Sequence, residues 1–159
     1  MIKYLFIDVD GTLTDGKIYI GVGGELMKAF SVRDGHGIKH IQSSYGVIPV
    51  VLTKREESLI VKQRCEELGI TECHQGVKDK LTVINLYQEV SSPQFFSYIG
   101  DDSNDLPAMD YIKRKGGIVA SPADADISVK TISDYICKRD GGDGAVREFI
   151  DYLIANNLV

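Results

Sequence analysis

Three short apolar runs constrain this chain more than anything else in it: Tyr4-Leu5-Phe6-Ile7, Val47-Ile48-Pro49-Val50-Val51-Leu52 and Phe95-Phe96-Ser97-Tyr98-Ile99. Each reads as a strand of a buried sheet, the first over residues 3–8. Between them the apolar period changes. Residues 56–68 place Leu59, Ile60, Cys65 and Leu68 near one helical face and stop at Gly69; residues 78–90 space Leu81, Ile84 and Tyr87 at helical intervals. Further helices are expected from Ile38 to Ser44, from behind Asp105 to about Lys115, and from Ala145 to Ala155. Shorter strands are expected at 72–74, 117–120 and 125–129. Strands alternating with helices predict an α/β fold, a parallel sheet covered on both faces by crossover helices. Ligands of such sheets gather at the carboxyl ends of the strands, near the point where strand order reverses.

One segment departs from the alternation. Lys17-Ile18-Tyr19-Ile20 and Glu25-Leu26-Met27-Lys28-Ala29-Phe30 flank Gly21-Val22-Gly23-Gly24, the signal of a β-hairpin inserted at about residues 17–31. A hairpin placed directly after a strand-end loop suits a lid or a subunit contact. No repeat, linker or low-complexity tract divides the 159 residues, so a single domain over 1–159 is expected.

The chemistry sits at the strand ends. Asp8-Val9-Asp10-Gly11-Thr12-Leu13-Thr14 follows the first run, and two carboxylates there need a cation or several hydrogen bonds to compensate burial. Gly11, Thr12 and Thr14 suit a turn whose N–H groups and hydroxyls cradle an anion. A cation held by carboxylates beside an anion cradle is the layout of a magnesium-dependent phosphoryl-transfer site. A calcium loop would need Asp or Asn at its fifth place and Glu at its twelfth, where this chain has Thr12 and Tyr19. Gly100-Asp101-Asp102-Ser103-Asn104-Asp105 follows the third run. Asp101 is placed to ligate a metal and Asp105, one helical turn on, to hold Asp101 or a metal-bound water. Asp102 or Ser103 could instead cap the next helix, with Asp105 favouring its dipole. Lys80, near a helix start, is either a solvated cation or a counter-ion bridging a nucleophilic carboxylate and a transferred phosphate. Thr53 either caps the following helix or binds a phosphate oxygen.

Composition narrows the partners. A net charge of -5 argues against nucleic acid and anionic membranes, and makes a phosphate site depend on a metal and local basic residues. Cys65, Cys73 and Cys137 form no CxxC, and His36, His40 and His74 show no ligand spacing with them, which suits free thiols in a reducing cytosol. No apolar run approaches the ~20 residues of a membrane span. The chain enters a strand at once, so export is not expected and a cytoplasmic location is.

Taken in order, Asp8-Val9-Asp10-Gly11-Thr12, Thr53, Lys80 and Gly100-Asp101-Asp102-Ser103-Asn104-Asp105 resemble the four motifs of the haloacid dehalogenase superfamily. The chain is similar above all to its small, capless 3-deoxy-D-manno-octulosonate 8-phosphate (KDO 8-phosphate) phosphatase family. Lys28-Ala29-Phe30-Ser31-Val32-Arg33-Asp34-Gly35-His36-Gly37-Ile38, Gly69-Ile70-Thr71 with Gln75-Gly76, and Gly141-Gly142-Asp143-Gly144-Ala145-Val146-Arg147-Glu148 resemble three more of its stretches, and the similarity spans nearly the full length. The resemblance implies a three-layer, doubly wound parallel sheet of Rossmann-like type with a β-hairpin flap and no large cap domain.

It also implies roles. Asp8 would be the nucleophile that forms an aspartyl-phosphate, and Asp10 the general acid and then the base. Mg²⁺ would be held by Asp8, Asp101 and the Asp10 carbonyl, with Asp102 and Asp105 behind it. Thr53 and Lys80 would bind phosphoryl oxygens. Arg33, Arg55 and Arg147 are candidates to pair with a substrate carboxylate. The implied activity is hydrolysis of the phosphomonoester of a 2-keto-3-deoxy sugar acid, with KDO 8-phosphate first and N-acylneuraminate 9-phosphate as the rival substrate. A non-catalytic oligomerisation or regulatory module beside a sugar-nucleotide synthetase would be marked by loss of Asp8 or Asp10, and a receiver-like signalling domain would need neither Asp10 nor the hairpin. The family further implies a homotetramer in which one subunit's hairpin covers the neighbour's site, here through Ile18, Ile20, Leu26 and Phe30. Two stretches depart from the family. Thr53-Lys54-Arg55 stands where many relatives have Thr-Gly-Arg, which disfavours a left-handed backbone there and adds a cation near the mouth of the site. Residues 120–140 are less similar.

Overall fold

The computed structural model describes residues 1–159. Its strands are β1 (Tyr4–Asp8), β2 (Tyr19–Gly21), β3 (Gly24–Met27), β4 (Ile48–Leu52), β5 (Glu72–His74), β6 (Phe96–Ile99), β7 (Ile118–Ser121) and β8 (Tyr135–Ile136). Six of them form one parallel sheet in the order β5-β4-β1-β6-β7-β8, while β2 and β3 pair as the antiparallel hairpin. β1 lies between β4 and β6, aligned Asp8 to Leu52 on one side and Ile7 to Ile99 on the other. Strand order reverses at β1, so Asp8, Thr53 and Asp101 leave the carboxyl edge of the sheet on adjacent strands.

Alternate residues of β1 feed two cores. Leu5 and Ile7 pack with α1 (Val32–Tyr45), α2 (Leu59–Leu68) and α6 (Ala145–Ala155) through Ile38, Ile41, Cys65, Phe149 and Ile150. Phe6 packs on the other face with α3 (Lys80–Gln88), α4 (Leu106–Arg114) and α5 (Ile127–Ile132) through Val83, Ile84, Met109, Ile112 and Val129. This is the helix–sheet–helix layering that the strand pattern predicts. Each wholly buried Leu, Ile or Phe contributes roughly 1.5–3 kcal/mol, so two such cores can carry a polar, charge-crowded sheet edge. No helix is long and apolar enough to cross a membrane, and all three cysteines are free, Cys65 and Cys137 being buried.

The structure corrects several boundaries. Residues 125–129 are not a strand. Asp126 accepts the Ser128 N–H at 2.9 Å and caps α5, so a local side-chain bond overrides the β-branched composition. The sheet edge is instead closed by β8, whose two residues are too few to show a period. α1 starts at Val32, ahead of the expected Ile38, because the Ser31 hydroxyl accepts the Arg33 N–H at 3.1 Å and Gly35 and Gly37 lie inside the helix. Gly37 marks where α1 and α6 approach: a Cβ there would meet Arg147 Cδ at 2.8 Å. α2 starts late, at Leu59, since Gln75 accepts the Ser58 N–H at 2.8 Å and holds the preceding segment as a loop.

Candidate active site

β1 delivers Asp8 to the edge of the sheet, where its side chain is buried among other strand ends. The chain then makes a wide turn over Val9–Leu13, closed by the Thr14 N–H donating to the Val9 carbonyl at 3.0 Å. Gly11 sits in the turn at φ 93°, and a Cβ there would fall 2.0 Å from Asp101 Oδ2. Only glycine allows both the left-handed backbone and the close approach of Asp101. The threonines serve the loop rather than face a ligand as expected. Thr14 Oγ1 accepts from the Gly11 and Gly16 N–H groups at 3.3 and 3.2 Å, and Thr12 Oγ1 donates to Asp101 Oδ1 at 3.4 Å. Thr14 also donates its own proton to the Val9 carbonyl at 3.3 Å, so both hydroxyl protons are spent within the protein rather than offered to an anion.

Asp105 organises the cluster from α4's N-terminal end. Its Oδ2 accepts the Asp101 and Asp102 N–H groups at 3.0 and 3.2 Å, and its Oδ1 accepts from Lys80 Nζ and Tyr98 Oη, both at 2.6 Å. Lys80, only 2% exposed at the start of α3, reaches under the sheet edge to Asp8 as well as Asp105. The surface alternative for Lys80 is thereby excluded. Burial alone pulls the lysine toward neutrality, but its two carboxylate partners outweigh that and raise its pKa. Asp8 is pushed well up, first by burial and then by the charges of Asp105 and Asp101 against the pull of Lys80. Burial also raises Asp101, to about 6.

Three carboxylates therefore share one ammonium. Asp8, Asp101 and Asp105 can each bring an oxygen within 4.8 Å of the others. Asp105 already accepts four hydrogen bonds, which leaves Asp8 and Asp101 as the carboxylates with free lone pairs. Few carboxylates, hard oxygen donors and room for water are what Mg²⁺ prefers. The charge imbalance is what a divalent cation would correct, so the residues fit the ion.

Above the cluster lies a cavity of about 510 Å³ lined by Asp8, Asp10, Thr53, Lys54, Arg55, Asp101 and Asp102, with Ile18 from the hairpin. Lys80 is beneath Asp8, not in the cavity wall. Thr53 follows β4, and its hydroxyl accepts the Arg55 N–H at 3.2 Å, so it braces its own loop while lining the cavity. Lys54 takes no left-handed backbone; Asn157 is the sole non-glycine with positive φ. The loop absorbs the missing glycine without strain. Asp102 accepts the Ser103 N–H on its carboxylate at 2.6 Å, so the side chain acts in the turn and is not one of the three converging carboxylates.

No protein-family model matches the chain. Curated relatives do. The 3-deoxy-D-manno-octulosonate 8-phosphate phosphatase KdsC of Escherichia coli (strain K12) is 40% identical over 155 residues, covering 96% of this chain and 79% of the relative. The KdsC of Yersinia pestis is 37% identical over 158 residues, covering 96% and 80%. Among solved structures, the 3-deoxy-D-manno-octulosonate 8-phosphate phosphatase of Moraxella catarrhalis, in complex with a magnesium ion, a phosphate ion and a KDO molecule, matches with TM-score 0.88 at 38% identity over 98% of this chain and 88% of that one. The cobalt-bound enzyme of Haemophilus influenzae matches with TM-score 0.88 at 38% identity, over 98% and 90%. The chain belongs to the KDO 8-phosphate phosphatase family.

The arginines assigned by resemblance to that family separate in space. Arg55 lines the cavity and pairs with Glu25 of the hairpin at 3.2 Å. Arg147 is turned away, its guanidinium held by Asp151 one turn along α6 at 2.9 Å. Arg33 is exposed at the start of α1 and is not among the residues lining the cavity. The residue that sequence reasoning missed is Lys28. It follows β3, its side chain is 1% exposed, and its Nζ lies 2.5 Å from Asp10 Oδ1 and 2.9 Å from Glu25 Oε1. Where family resemblance puts the hairpin over a neighbouring subunit's site, here its base touches Asp10 of the same chain.

Proposed function

We propose that the protein is a Mg²⁺-dependent phosphatase that hydrolyses the phosphomonoester of a 2-keto-3-deoxy sugar acid, KDO 8-phosphate, by way of an aspartyl-phosphate. The observation that carries this is the convergence of Asp8, Lys80, Asp101 and Asp105 beneath a cavity that also exposes Asp10. Asp8, Asp101 and the Asp10 carbonyl would hold the ion, which would neutralise charge between nucleophile and phosphate. An Asp8 carboxylate oxygen attacks phosphorus as the bond to the sugar oxygen breaks, and Asp10 gives its proton to that leaving oxygen. Asp10 then takes a proton from water, which attacks the phosphorus of the aspartyl-phosphate, releases inorganic phosphate and restores Asp8. Lys80 steadies Asp8 from below. Thr53 meets the phosphoryl oxygens at the cavity wall, while Asp105 fixes Asp101 and Lys80. Arg55, half-exposed at the mouth, pairs with the sugar-acid carboxylate once it leaves Glu25.

The protein acts as a homotetramer through its hairpin in this proposal. Support comes from Ile20 and Leu26, 70% and 68% exposed on one chain, an apolar surface rarely left to solvent in such a small element. A phosphate-release assay across sugar phosphates, with and without Mg²⁺, tests the activity. KDO 8-phosphate is expected to be turned over fastest, only with the metal, and Asp8→Asn to lose at least about a thousandfold in kcat. Preference for a neutral sugar phosphate, or full activity of Asp8→Asn, would overturn the proposal.

A further inference from the structure

Asp10 has to present a carboxyl group to a leaving oxygen, yet its loop gives that side chain no support. Among the hydrogen bonds of the chain, Lys28 is the one donor to the Asp10 carboxylate, at Oδ1, and Oδ2 takes none. Asp10 itself is partly open to the cavity, its side chain 28% exposed, whereas the Lys28 side chain is sequestered. Lys28 is fixed in turn by Glu25, whose Oε1 also accepts from Arg55 Nη1 at 3.2 Å. The result is a row of alternating charges, Asp10, Lys28, Glu25 and Arg55, that ties the hairpin to the loops after β1 and β4 of the same chain.

We infer that Lys28 is a positioning residue for Asp10: from the hairpin it holds one carboxylate oxygen so that the other faces the cavity for proton transfer to the leaving group. The inference rests on the phosphatase reading and adds to it the element that aims the acid. An ion pair with a buried ammonium restricts the carboxylate to one direction, and orientation of a reacting group is worth orders of magnitude in rate. The hairpin thereby contributes to chemistry as well as to covering the site. Proton delivery matters most where the leaving group is a poor one. A sugar alkoxide needs the proton as it departs, whereas a nitrophenolate does not.

The test compares kcat/KM, which reports the chemistry through departure of the leaving group, for KDO 8-phosphate and p-nitrophenyl phosphate in the Mg²⁺-loaded protein. Lys28→Met keeps the length of the side chain and removes the ammonium. It is expected to lower the ratio of the two kcat/KM values by about tenfold, part of the 10²–10⁴ typical of general acid catalysis. Lys28→Arg, which can still donate to Asp10, is expected to restore the ratio to within about threefold of the wild type. A ratio unchanged in Lys28→Met, with wild-type turnover of both substrates, overturns the inference. Equal losses on both substrates, with no recovery in Lys28→Arg, overturn it too by reducing Lys28 to a structural support. Absence of turnover in the wild type would instead sink the phosphatase reading itself.

Discussion

Asp101 shows how much one side chain can carry. It lies against Gly11, accepts from Thr12 and completes a set of three carboxylates served by the single ammonium of Lys80. Removing its charge relieves like-charge crowding in the metal-free protein, so Asp101→Asn is expected to raise metal-free stability by about 1–2 kcal/mol. The same change removes a ligand. Mg²⁺ at a hundred times its Kd is expected to stabilise the wild type by about 2.7 kcal/mol and the variant hardly at all. Urea melts of both proteins with and without the ion check this; equal magnesium shifts would place the ion elsewhere. The strand-end aspartates were legible in the sequence because carboxylates closing buried apolar runs need a cation or several hydrogen bonds to compensate them, and two such clusters end adjacent strands. Lys80 was legible only as one of two alternatives, since a lysine in a first helical turn is ordinarily solvated. Lys28 stood in a stretch that resembles the family, but nothing pointed it at the site, its partner Asp10 being reached by folding of the hairpin rather than by any local period.

At the scale of elements, the junction of α1 and α6 is held by a buried acid. Asp34 Oδ1 accepts the Arg147 N–H at 2.8 Å, at the N-terminal end of α6, while Oδ2 is buried without a partner. Burial raises this carboxyl from 3.8 to about 6, against the pull of backbone N–H groups. The sign follows from proton binding. Between those two values the folded protein holds a proton that the unfolded chain has released, so stability falls as pH rises through the interval. Asp34→Asn lacks this slope. Relative to that variant, the wild type is expected to lose about 2 kcal/mol between about pH 4.5 and about pH 7.5, read from urea unfolding at both pH values in the absence of metal. A constant difference would mean that Asp34 titrates normally. The same junction connects to the site, because the Gly142 N–H just before α6 donates to the Thr12 carbonyl at 3.0 Å. Most elements were legible as periods of apolar residues. α5 and β8 were not, because one is decided by the Asp126 cap and the other by pairing with β7, neither of which leaves a periodic trace.

For the whole molecule, the hairpin is the part that looks outward. If its apolar face joins subunits, Ile20→Asp with Leu26→Asp is expected to lower the solution mass from that of a tetramer toward that of a monomer, as measured by light scattering; an unchanged mass would assign assembly to another surface. Lys28 would keep its contact with Asp10 in such a variant, which separates the outward role of the hairpin from its inward one. The central place of β1 has a consequence during synthesis. Its hydrogen-bonding neighbours are residues 48–52 and 96–99, so this strand keeps an open edge until more than forty residues beyond β4 have been made. Until then Leu5, Phe6 and Ile7 form a sticky, half-paired ribbon, a state prone to aggregation that helper proteins would have to shield. Premature termination anywhere upstream of Ile99 would therefore release a fragment both inert and adhesive.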